Sequence, residues 1–129
     1  MKKKKRKRLE REVLAILDDW TPCLGLEPYE REVKFFRTRD EFRRDKHSIV
    51  AARVWCDWRY QTIYLEVCLP VLAEMTAKKR ERTMVHELVH ALVHPMSRRK
   101  KKDNEEFVVT NLTNAFIWTR NRARGAEKR

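Results

Sequence analysis

The sequence predicts an α+β domain: an N-terminal helix, a small three-stranded sheet, a helix carrying His-Glu-x-x-His, and a C-terminal helix. Three observations predict it. Residues 59–69 alternate, with Ile63, Leu65, Val67 and Leu69 on one side and Thr62, Tyr64, Glu66 and Cys68 on the other; that is the period of a strand. Residues 9–20, 78–93 and 105–120 instead repeat their apolar residues at helical spacing. The chain of 129 residues shows no internal repeat and no long linker, so one core in one domain is expected.

In chain order, residues 1–8 carry seven positive charges and no negative one. Self-repulsion predicts a disordered basic tail there, with the folded domain over 9–120 and a second basic tail over 121–129. Leu9, Val13, Ile16, Leu17 and Trp20 mark the first helix, which Thr21-Pro22 and Gly25 should stop. Tyr29–Thr38 and Ser48–Trp58 read as strands, separated by a charged turn or short helix over 39–46. The short link at 57–60 makes the second and third strands a hairpin. Pro70 ends the third strand. The next long helix runs from Lys78 to Val93 and is closed by His94-Pro95. Asn104 can cap the last helix, whose expected apolar stripe is Val108, Val109, Leu112, Ala115 and Phe116.

Net charge is +12. Besides the N-terminus, residues 98–103 carry a net +4 and residues 120–129 a net +4, which leaves −3 for everything else. Basic termini of this kind imply weak, non-specific attraction to nucleic acid. No aromatic residue is interleaved with the basic runs and no nucleic-acid fold signature is present, which argues against sequence-specific recognition. There is no long apolar run to span a membrane and no apolar segment of a secretory leader, so a cytoplasmic location is expected. Cys23, Cys56 and Cys68 are odd in number and form no Cys-x-x-Cys pair. They read as reduced thiols rather than as a cysteine zinc site.

The chemistry concentrates at Thr83-Met84-Val85-His86-Glu87-Leu88-Val89-His90-Ala91-Leu92. On a helix His86 and His90 lie one turn apart on one face, so both imidazoles can reach one metal ion. Glu87 lies about 100° around the helix from His86. It stands beside such a metal rather than on it, placed to take a proton from a zinc-activated water. Met84, Val85, Leu88, Ala91 and Leu92 fall on the opposite face and should pack on the core. A catalytic zinc takes three protein ligands and leaves a position for water. No histidine follows His94, and His94 itself lies about 12 Å further along the helix axis than His86. The better candidates for the third ligand are Glu105 and Glu106, at the start of the last helix.

This arrangement resembles the zincin metallopeptidases of the gluzincin type, with His-Glu-x-x-His on one helix and a ligand Glu on the next. More narrowly, residues 84–92 followed by Glu105-Glu106-Phe107-Val108-Val109 and Leu112 are similar to small phage-type and ImmA/IrrE-like zinc metallopeptidase domains, as is the strand Tyr60–Leu65. The resemblance covers about residues 9–120, with the specific motifs in 83–112. It implies a minimal zincin-like fold, one catalytic Zn2+, a peptide or protein substrate, Glu87 as general base, and a host cytoplasm if the gene belongs to a phage. It also implies Glu106 as the ligand beside His86 and His90. In the gluzincin pattern small or apolar residues follow that Glu at two and six positions, which Val108 and Leu112 satisfy for Glu106. Glu105, the less favoured alternative, would place Phe107 and Asn111 there, although the helical wheel turns it nearer the apolar stripe. Thr110 departs from the Asp or Asn that often supports a ligand His. A second reading is a zincin-derived metal-binding regulatory or nucleic-acid-associated module with little intrinsic proteolysis. Oxyanion donors stay open among Tyr60, Tyr64, His94 and the basic loop.

Overall fold

The computed structural model describes residues 1–42, 50–94 and 102–127, without the side chains of 102–104 and 126–127. Among the described residues it is an α+β fold of five helices and one mixed sheet. The elements are α1 (Lys3–Cys23), β1 (Glu30–Phe36), α2 (Arg39–Phe42), β2 (Ala52–Asp57), β3 (Thr62–Cys68), α3 (Leu69–Ala73), α4 (Ala77–Val93) and α5 (Lys102–Glu127).

The sheet has the order β1-β3-β2. β2 and β3 form the expected antiparallel hairpin, with Val54 opposite Leu65 and Cys56 opposite Ile63. β1 lies parallel to β3 on its other side, with Val33 opposite Leu65. The strand with the cleanest alternation is therefore the central one. Ile63, Leu65 and Val67 are its buried side and face the helices. On the outer side Trp55 stacks on Tyr64 with ring centroids 5.0 Å apart. Main-chain pairing leaves β2 as an edge strand.

The core lies between this sheet and α1, α4 and α5. Val13 and Leu17 of α1, Leu72 of α3, and Met84, Val85, Leu88 and Val89 of α4 are fully buried in it. Trp20 ties three helices together. Its indole N–H donates to Glu81 of α4 at 3.1 Å, and the Arg120 guanidinium of α5 lies 4.7 Å from its ring centre.

Both terminal expectations are corrected. Residues 3–8 are not a disordered tail but the first turns of α1. Lys and Arg are good helix formers, and turns add readily to a helix already anchored by Leu9, Val13 and Leu17. At the other end α5 continues to Glu127 rather than fraying after Arg120. Arg120 and Arg124 are held there by Asp19 at 2.5 and 3.2 Å, and Arg124 also reaches Glu81 at 3.5 Å. Pro22 lies within the last turn of α1, and the stop falls at Gly25, whose φ of 72° is the left-handed conformation that favours glycine. The inward face of α5 also differs from the expected stripe. Val109, Thr113 and Ile117 are buried on it, one turn apart, while Val108 and Ala115 face out. Most of the expected basic loop, at 95–101, and the start of the expected second strand, at 48–49, lie outside the described residues.

Candidate metal centre

α4 separates its two faces as the wheel requires. Thr76 caps it, accepting the Lys79 N–H at 3.2 Å. Its apolar side packs on α1 and the sheet, and its polar side turns to β2 and the first turns of α5. His86 and His90 are half-buried on that side, and Glu87 is only 9 % exposed. A recess of about 340 Å³ opens here. Glu87, His90 and His94 of α4, Glu105 and Glu106 of α5, and Trp55 and Cys56 of β2 are among the residues that line it.

Three side chains converge in this corner. The His86 and His90 Nε2 atoms are 3.2 Å apart. The Glu106 carboxylate lies across both, 2.7 Å from His90 Nε2 and 3.4 Å from His86 Nε2. One ligand atom from each residue falls within 4.8 Å of the others. Glu105 occupies a different position: His90 Nδ1 is 3.0 Å from its Oε1. An ionised carboxylate can only accept, so the Nδ1–H donates to it, and a neutral His90 then turns a bare Nε2 towards His86 and Glu106.

That donor set fits a small cation. Lone pairs of a carboxylate oxygen and an imidazole nitrogen do not sit together unless a proton or a metal lies between them. Tetrahedral zinc with bonds of about 2.0–2.2 Å spaces its ligand atoms roughly 3.3 Å apart. Here the two Nε2 atoms are 3.2 Å apart, Glu106 Oε1 is 2.7 Å from His90 and Oε2 3.4 Å from His86, and one atom from each residue fits within 4.8 Å. Burial, and then the neighbouring His90, hold the His86 pKa below its ordinary value; this favours the neutral form that can coordinate. Burial, with the Glu106 charge adding, pushes Glu87 up to about 8.

The residues singled out from the sequence thus divide by place. His86, His90 and Glu106 come together, Glu105 stands behind His90, and Glu87 is in the wall of the same recess. His94 continues the α4 path with its N–H on the His90 carbonyl, exposed at the mouth, its Nδ1 3.8 Å from Glu105. Tyr60 and Tyr64 line a second, larger recess with Trp55 and Trp58, which His94 also borders. The sequence marks Cys56 only as a reduced thiol. It is half-buried in the wall of the metal recess, its pKa raised by burial and by Asp57. Its place on β2 could be read from the alternation, but not that α4 lies over that edge.

No protein-family model matches the chain, and neither a curated protein nor a solved structure matches it. No described helix is long and apolar enough to cross a membrane.

Proposed function

We propose that the protein is a zinc-dependent peptidase of the gluzincin type, with zinc held by His86, His90 and Glu106. The observation that carries this reading is the convergence of those three side chains at an open recess that His90, Glu106 and the buried Glu87 line. When bound, zinc would polarise a water and the scissile carbonyl and lower the pKa of that water to about 7. Glu87 is the general base. As the water oxygen bonds to the carbonyl carbon, the water proton passes to the Glu87 carboxylate. Glu87 then delivers that proton to the amide nitrogen as the C–N bond breaks. Burial suits Glu87 to both steps, because it makes the carboxylate a stronger base than one in water. Glu105 is a positioning residue: its hold on His90 Nδ1 fixes the tautomer and the ring. It takes the part that Thr110, exposed one turn further along α5, is not placed to play. His94, at the mouth, is one side-chain donor that the recess offers to the developing oxyanion.

Metal analysis and peptide-library cleavage test the reading together. One zinc per chain is expected in wild type. Glu87→Gln should retain zinc and lose cleavage by at least about 10³-fold. Glu106→Ala should lose zinc. Wild type purified without zinc, and unable to take it up, would reject the centre. Zinc with no cleavage of any peptide would leave a metal-binding module.

A further inference from the structure

We propose that the first three turns of α1, with the recess they form against α3 and α4, bind the phosphodiester backbone of duplex nucleic acid. The sequence places the cations at one end of the chain, and the structure gives them a shape. Lys3, Lys4, Lys5, Arg6, Lys7 and Arg8 are six consecutive cations on a helix, so their charges lie within about 9 Å of axis. Arg11 continues the array one turn on.

These cations border a recess of about 600 Å³ between α1, α3 and α4. Lys5, Arg8 and Arg11 line it from α1, Ala73 from α3 and Arg80 from α4. Its one carboxylate, Glu12, is already engaged by the Arg80 fork at 2.5 and 3.0 Å. Among the described residues no ion pair joins Lys5, Arg8 or Arg11 to a carboxylate. Lys78, Lys79 and Arg82 of α4 are exposed on the element that closes the recess. Neither α1 nor α4 has an acidic residue in its first turn. Each therefore sets cations against the positive end of its own dipole, an arrangement that a polyanion relieves.

The surroundings choose among polyanions. The exposed aromatic residues Trp55, Trp58, Tyr60, Phe107 and Trp118 lie on other elements, and the exposed large apolar residues near the array are Met1 and Leu14. With no aromatic platform the surface is poorly suited to stack single-stranded bases. Met1 and Leu14 stand singly at the two ends of the array, short of the continuous apolar face that seats a helix in a lipid surface. A regular row of phosphates fits what remains. Arg80 is six residues before His86 on α4, about 120° away around the helix. A duplex seated at this end leaves the metal recess open.

The test is binding of the full chain to a labelled duplex of about 20 base pairs, from about 50 to about 200 mM salt. Wild type should bind with an affinity that falls steeply with salt and does not depend on sequence. Lys5→Gln/Arg8→Gln/Arg11→Gln should lose at least about tenfold and flatten the salt slope by about 2.7, one phosphate contact per cation. Arg37→Gln/Arg59→Gln/Arg122→Gln removes the same charge elsewhere and should stay within about threefold of wild type. Equal loss in the two triple variants would reduce the effect to net charge and overturn the proposal. So would absence of binding at low salt, or tighter binding to single-stranded DNA or to phosphatidylserine vesicles. Far-ultraviolet circular dichroism confirms that both variants are folded. Glu87→Gln should bind as wild type does, so loss of the peptidase reading leaves this result untouched.

Discussion

The two halves of α4 belong to one helix, yet their polar faces are opposites. The first turns present Lys78, Lys79 and Arg82 to solvent, and Arg80 to a single carboxylate. The last turns set Glu87 and His90 in a recess with two further carboxylates, and His86 against one of them. Neither arrangement favours the helix: cations at its N-terminus oppose the dipole, and a buried Glu87 resists ionisation. Stability comes instead from Met84, Val85, Leu88 and Val89, which are fully buried and anchor the helix from its middle onward. The difference teaches that the back holds the fold while the polar face is left for chemistry at one end and charge at the other.

The comparison can be broken first at Glu87. In metal-free protein its folded pKa of about 8 stands above the ordinary 4.5. The associated stability is fully present below pH 4.5 and is lost as pH rises towards 8. Metal-free Glu87→Gln should therefore exceed wild type by up to about 5 kcal/mol at high pH in urea melts, with the gap closing in acid. A gap independent of pH would remove the electrostatic account. The apolar back comes next: Leu88→Ala should cost about 3 kcal/mol by the same melts. A loss under about 1 kcal/mol would mean that the back is not what holds the helix. Third, Glu105→Gln should weaken zinc about 10- to 100-fold in chelator competition while keeping one site per chain. Loss as complete as in Glu106→Ala would make Glu105 a ligand. Smallest is the N-terminal half, where Lys78→Glu should raise stability by about 0.5 kcal/mol at low salt, less at high salt. A destabilising change would show that the exposed cations there are not opposed by the dipole.

How far the sequence could be read follows from what local pattern encodes. The β2–β3 hairpin and the two faces of α4 were legible because side-chain period and a short link are local properties. That β1 joins β3 in parallel was not, since alternation does not name a neighbour. The start of α1 was misjudged because charge repulsion was weighed without the anchored turns that follow it. On α5 the apolar Val108 and Ala115 drew the expected stripe off its true line. Packing on α4 selects Val109, Thr113 and Ile117, and the polar Thr113 hides that row. At the candidate site the motif fixed His86, Glu87 and His90. Two adjacent carboxylates left a choice that local pattern cannot make, because their places depend on how α5 approaches α4. Glu106 crosses both Nε2 atoms, and Glu105, the more buried of the two, takes His90 from behind.

The junction at Trp20 has an optical consequence. Of the four tryptophans it alone is buried, at 2 % exposed, whereas Trp55, Trp58 and Trp118 are each more than half exposed. A water-borne quencher therefore silences three indoles and leaves the emission of one. That residual light comes from the point where α1, α4 and α5 meet, so its wavelength and lifetime gauge whether the two ends of the chain are still clasped around the helix between them.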